Sequence, residues 1–202
     1  MVIVLSGLGT PMEALFVSTG VVALAEFGDK TQLLAFILAA RFKRPIPIIA
    51  GILVATLVNH GLAGALGAWI TSVLDPEVMR WVLGASFIAM AIWTLIPDKI
   101  EEEEAQVAKH LGVFGATLVT FFLAEMGDKT QIATIALAAH YGVPVMVIAG
   151  TTLGMLVADV PAVFVGNKFS ARIPMKLVHS VAAGIFAVMG LLTLFEADAL
   201  FR

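Results

Sequence analysis

The sequence predicts an all-α integral membrane protein of six transmembrane helices, arranged as two inverted three-helix repeats. Three observations carry this expectation. Of the 202 residues, 60% are hydrophobic and 13% charged, with a mean hydropathy of +1.00; soluble domains are about half apolar and a quarter charged. Six stretches hold the roughly 20 apolar residues that a bilayer crossing requires. The two halves of the chain also match each other without a gap at a spacing of 99 positions, as residues 26 and 125 show.

The expected spans are 11–40, 45–73, 78–96, 112–139, 144–165 and 174–195. Pro11, Pro45, Gly112, Pro144 and Pro174 stand at span starts, as residues at helix entry do. Loops after the first, third and fifth spans hold Arg41, Lys43, Arg44, Lys99, Lys109, Lys168, Arg172 and Lys176. The opposite loops hold only Arg80 and Arg202. Basic loops stay in the cytoplasm, so both termini are expected outside it, in a multi-pass protein of the cell (inner) membrane. No cleaved signal peptide is expected. Residues 1–25 lack a basic start, and cleavage after Ala23-Leu24-Ala25 would remove the helix leading into the first motif.

The repeat pairs Pro45 with Pro144, Ile49-Ala50-Gly51 with Ile148-Ala149-Gly150, and Leu57-Val58 with Leu156-Val157. It continues through Gly67 and Gly166, Phe87 and Phe186, and Thr94-Leu95 and Thr193-Leu194. Each half then has three spans, and an odd number makes the second half enter the membrane from the opposite side. The expected domains are a first repeat at 1–97, an acidic cytoplasmic linker at 98–111 and a second repeat at 112–202. Inverted repeats of this kind are typical of secondary transporters, whose substrate binds near the midplane where the halves meet.

The repeat also carries charge into lipid. Glu26-Phe27-Gly28-Asp29-Lys30-Thr31 and Glu125-Met126-Gly127-Asp128-Lys129-Thr130 lie in the middle of the first and fourth spans, followed by Gln32 and Gln131. Ionisable residues inside a membrane mark functional sites by default. On a continuous helix Glu26 and Asp29 would share a face, and Lys30 would pair with Glu26. Gly28 and Gly127 permit close helix approach or local unwinding. Convergence of Glu26, Asp29, Glu125 and Asp128 with Lys30 and Lys129 leaves two negative charges, which suits one divalent cation or two protons. Carboxylate, amide and hydroxyl oxygens from these acids with Thr31, Thr130, Gln32 and Gln131 suit hard cations such as Mn²⁺, Ca²⁺ or Mg²⁺. Crowded carboxylates repel one another, so protons and metal compete for the same oxygens, the chemical basis of antiport.

The doubled Glu-x-Gly-Asp-Lys-Thr pattern in a six-span chain resembles the GDT1-like family (the UPF0016 group), over nearly the whole chain. That resemblance implies a cation/proton antiporter handling Mn²⁺ and Ca²⁺, with Glu26, Asp29, Glu125 and Asp128 binding metal. The short acidic central loop and the lack of a long N-terminal extension match a prokaryotic member. No prosthetic group is implied; Mn²⁺ or Ca²⁺ is the substrate and H⁺ the coupling ion. The partners are the lipid bilayer and the metal ion, with a homo-oligomer left open.

Other features weigh less. His60 and Asp159 are equivalent under the 99-residue spacing, and Asp159 precedes Pro161, where a kinked, locally wet helix is expected. Asp159 suits a proton relay or metal support, while His60 suits either that or an interhelical hydrogen bond. Lys30 and Lys129 would organise the carboxylates. The run Glu101-Glu102-Glu103-Glu104 reads as a solvated linker, Gly61, Gly64 and Gly67 as a packing stripe, and Trp69, Trp81 and Trp93 as interface anchors. A net charge of −3 and a pI near 5.8 give no basic excess for nucleic acid. The absence of cysteine excludes disulfides and thiolate sites.

Two other functions compete. An intramembrane aspartyl protease would need Asp29 and Asp128 to share a proton, and an adjacent lysine at each opposes that. An amino-acid exporter would need cationic partners for the substrate carboxylate, where this site is net acidic.

Overall fold

The structure is a computed structural model that describes residues 10–96, 111–165 and 175–195. Eight helices occupy these residues: α1 (Pro11–Glu26), α2 (Lys30–Phe42), α3 (Pro45–Val73), α4 (Pro76–Thr94), α5 (Val113–Glu125), α6 (Lys129–Tyr141), α7 (Pro144–Val165) and α8 (Met175–Phe195). The acidic run Glu101–Glu104, most of the linker at 98–111, Lys99, Lys109, Gly166, Lys168, Arg172, Pro174 and Arg202 lie outside the described residues.

Local chemistry sets the helix ends. Thr10 and Glu13 form a reciprocal capping box ahead of α1, with Pro11 in its first turn, so the first N–H groups find acceptors. Asp75 caps α4 by accepting from the Glu77 N–H at 3.0 Å. The chain leaves α2 through Lys43 and α6 through Gly142, at φ of 54° and 66°. These two positions are 99 apart, so both repeats end the same helix with a left-handed residue.

The expected first and fourth spans are not continuous. Each is broken at the motif, between α1 and α2 and between α5 and α6. The fragments have 16, 13, 13 and 13 residues, so each is about 20–24 Å long, short of a bilayer core of about 30 Å. Among the described residues, only α3, α7 over Pro144–Phe164 and α8 over Lys176–Phe195 are individually long and apolar enough to cross. Phe16, Ile46, Trp69 and Phe164 are more than half exposed, an apolar surface that fits lipid better than water. Trp81 is exposed in the same way, and Trp93 is partly buried against the core.

The repeats interlock. α1 packs along α7, and its counterpart α5 packs along α3. Both contacts are close because a glycine stands at the crossing. A Cβ at Gly51 would lie 2.7 Å from Thr117 Cβ, and one at the equivalent Gly150 would lie 2.5 Å from the Leu15 carbonyl. Of the expected stripe, Gly64 abuts Ile148 and Gly67 abuts α6, whereas Gly61 faces open space and does not pack. α4 and α8 pair with each other, bringing the equivalent rings of Phe87 and Phe186 to 6.5 Å.

Gly150→Val should lower the stability of the detergent-solubilised protein by at least the 1–3 kcal/mol of an overpacked core, while Gly61→Ala changes it little. Thermal unfolding of both variants tests this; equal effects would show that the α1–α7 crossing is loosely packed.

Candidate functional site

The motif creates the break. Glu26 and Glu125 are the last residues of α1 and α5. Gly28 and Gly127 follow at φ of 81° and 76°, a left-handed conformation that glycine adopts without a Cβ clash. Asp29 and Asp128 are then the N-caps of α2 and α6. Gln32 and Gln131 reach back one turn, their Oε1 accepting from the Gly28 and Gly127 N–H at 3.0 and 2.8 Å. The hexapeptide with its glutamine is therefore a helix–turn–helix instruction. The continuous helical face expected to hold Glu26, Asp29 and Lys30 together does not exist.

The break redirects the charges. Lys129 Nζ lies 2.9 Å from Asp29 Oδ2, and Lys30 Nζ lies 3.7 Å from Asp128 Oδ1. Each lysine thus reaches the aspartate of the other repeat. The glutamates are held locally: Thr31 Oγ1 donates to Glu26 Oε2 at 2.6 Å, and Thr130 Oγ1 donates to Glu125 Oε2 at 2.9 Å. In each, Oε1 is buried without a hydrogen-bond partner. One carboxylate oxygen from each of Glu26, Asp29 and Asp128 falls within 4.8 Å of the others, close enough to hold one ion. Glu125 lies outside that group, yet near enough for its charge to act on Glu26.

Helices α3 and α7 brace the breaks. Gln32 Nε2 donates to the Ala158 carbonyl at 2.9 Å. At the equivalent place in the other half, Gln131 Nε2 donates to Asn59 Oδ1 at 3.3 Å, and Asn59 Nδ2 donates to the Phe122 carbonyl at 3.0 Å. Both glutamines are used as struts and both threonines as donors to the glutamates. Asn59 escaped sequence reasoning, although an amide at the counterpart of Ala158 is a polar departure inside an apolar repeat. His179 was equally unforeseen: its Nε2 lies 2.8 Å from the Phe27 carbonyl at the first break.

Asp159 is fully buried, with neither oxygen hydrogen-bonded. It is close enough to exchange electrostatic influence with Glu26, Glu125 and Asp29. α7 runs as one helix through Pro161, and Asp159 sits inside the packed bundle. His60 is also fully buried, with both ring nitrogens unpartnered; the interhelical hydrogen bond expected of it is not made.

Paired acids at two helix breaks, cross-linked by lysines and rich in hard oxygen donors, have the chemistry to hold a hard cation. The profile of the divalent cation/proton antiporter GDT1 family matches residues 14–102 and 113–200. The chain belongs to this family. It is a membrane transporter and not an enzyme, which removes the protease reading. A Vibrio cholerae serotype O1 protein named "Putative manganese exporter" is 50% identical over 185 residues, covering 91% of this chain and 92% of its own. GDT1-like protein 3 of Oryza sativa subsp. indica is 29% identical, covering 86% of this chain and 71% of its own. The protein of that name in Arabidopsis thaliana is 27% identical over 86% and 68%. No solved structure matches the chain.

The two ion pairs of this family member differ. Lys129 is fully buried, whereas the Lys30 side chain is 18% exposed. Lys129→Met should lower stability by about 3–5 kcal/mol, because it removes the buried cation 2.9 Å from Asp29. Adding Asp29→Asn should recover most of that, and Lys30→Met alone should cost less. Melting curves in detergent give the ranking; equal losses from the two lysine variants would refute the difference between the pairs.

Proposed function

We propose that this transporter exports a divalent cation, manganese first and calcium second, from the cytoplasm in exchange for protons. The observation that carries the reading is the meeting of Glu26, Asp29 and Asp128 at two helix breaks, with Glu125 beside them. The family supplies the reaction class, and the name of the Vibrio cholerae relative supports manganese. An all-oxygen site accepts Mn²⁺ and Ca²⁺ readily, whereas Mg²⁺ gives up its water shell reluctantly.

Glu26, Asp29, Glu125 and Asp128 are the metal-binding acids in this reading. Thr31, Thr130, Gln32 and Gln131 hold them in place and lend oxygens as the ion enters. Lys30 and Lys129 supply positive charge across the repeat interface when metal is absent and withdraw as it binds. Asp159 carries protons to or from the cluster, with His60 as its counterpart in the first half. Metal bound by ionised acids leaves on one side; protons taken up by the same acids return them to the other.

The membrane arrangement follows from the same reading. Two three-helix repeats, at 1–97 and 112–202 with a cytoplasmic linker at 98–111, enter the inner membrane in opposite directions. The exchange of packing partners between the halves and the two matched stretches of the family profile support this. The basic ends Arg41, Lys43 and Arg44 then face the cytoplasm and both termini lie outside. Discontinuous helices meeting at the midplane are a recurring transporter device for placing backbone ends and charged groups at an ion.

Radiolabelled manganese should accumulate in inside-out vesicles holding this protein and an imposed proton gradient, and an uncoupler should abolish the accumulation. Accumulation unaffected by the uncoupler would remove proton exchange. Glu26→Gln, Asp29→Asn, Glu125→Gln and Asp128→Asn should each lower the rate at least tenfold, and wild-type rates in any two would place the site elsewhere. Because protons and metal compete, the apparent KM for manganese should rise as pH falls on the loading side. A KM independent of pH would show that the ions use separate groups.

A further inference from the structure

The halves are equivalent in sequence but not in packing. The α4–α8 pair leans to one end of the bundle. α4 packs on α6 and α8 on α1, and Val21, Leu83, Phe87, Leu137 and Phe186 share one core cluster there. α1 also packs on α6, and α2 on α5, so these half-helices form the two ends of the bundle. The other cluster, drawn from α2, α3, α5 and α7, contains no residue of α4 or α8.

Equivalent positions show what is missing at the second end. On α6, Ala136 is 3% exposed and Ile132 packs against the cluster; their counterparts on α2, Ile37 and Leu33, are 37% and 43% exposed. Phe87 meets His140 edge-on at 5.7 Å, and the counterparts of these two residues are Phe186 and Arg41. At the first break His179 Nε2 meets the Phe27 carbonyl. A carbonyl only accepts, so this nitrogen carries the proton. The counterparts are Arg80 and Met126. Arg80 Nε is buried without a hydrogen-bond partner, and Met126 is 54% exposed.

We propose that His179 and Arg80 are paired positioning residues that hold the α4–α8 pair in two alternate seats. In the seat observed, His179 fastens α8 to the Phe27 carbonyl, just past the end of α1. In the other, the pair moves onto α2 and α5, covers Leu33 and Ile37, brings Phe186 to Arg41, and lets Arg80 donate to the Met126 carbonyl. The sequence repeat makes both seats from the same residue pattern, so the states differ by few contacts and exchange readily. With the orientation proposed above, the observed seat closes the outer half and leaves the cytoplasmic half uncovered, ready to load. The inference rests on the transporter reading.

The chain has no cysteine, so introduced pairs report each seat directly. Phe87→Cys with His140→Cys should cross-link through a short thiol-reactive linker in the observed seat, and Arg41→Cys with Phe186→Cys in the other. In membranes both pairs should cross-link, and manganese or a pH gradient should shift their ratio. His179→Leu should lower the first pair relative to the second about fivefold, the effect of one lost hydrogen bond on a two-state balance. His179→Gln, which keeps a donor, should restore it, and Arg80→Leu should shift the ratio the opposite way. Failure of the second pair to cross-link under every condition, while the first goes to completion, would overturn the proposal. So would equal shifts in one direction from both leucine variants. Cross-linking requires no transport. Two working seats without manganese uptake would sink the cargo assignment alone, and uptake with one seat would sink the latch alone.

Discussion

Burying four carboxylates in an apolar bundle requires counter-charge within reach, and the rest of this structure depends on how that is met. The lysines answer across the repeat boundary, Lys129 to Asp29 and Lys30 to Asp128. In each pair the two charges come from different repeats, so the pairing spans the boundary between the halves. Removing one partner of such a buried pair costs several kcal/mol, so the two breaks depend on each other for charge.

The crossing of charges requires the helix break. On an unbroken helix Lys30 would project one turn from Glu26 and remain within its own repeat. Ending α1 at Glu26 and starting α2 at Lys30, through a left-handed glycine, lets Lys30 reach Asp128 while Glu26 accepts from Thr31. Gln32 then ties the turn to α7, and Gln131 ties its partner to Asn59 on α3. Every polar member of the heptapeptide has a task in the break or in the charge pairing. This explains why the motif occurs as a block and not as scattered acids.

Interlocked packing makes the site one unit while leaving a second part separable. α1 with α7 and α5 with α3 are locked by backbone contacts at Gly150 and Gly51. Among the described residues, the α4–α8 pair packs on this frame chiefly through α1 and α6, at one end. A rigid frame carrying the acids, with a paired element seated asymmetrically upon it, is the division of labour that alternating access needs.

Much of this was legible in the chain. Hydropathy, the 99-residue repeat and the doubled acidic motif pointed to an all-helical membrane transporter whose two acidic motifs meet, because lipid tolerates charge only where it is used. Even the break was within reach, since glycine followed by aspartate reads as a turn and a new N-cap. The partners of the charges were not legible: which aspartate Lys30 meets depends on how two segments 99 residues apart cross in space. Periodicity within one segment suggested Glu26, and the fold chose Asp128. Asn59 and His179 likewise gained meaning only once α3 faced the second break and α8 reached the first. Composition and repetition declare what must be buried. Only long-range packing assigns each buried charge its neighbour, because Coulomb interactions follow distance in space and not separation along the chain.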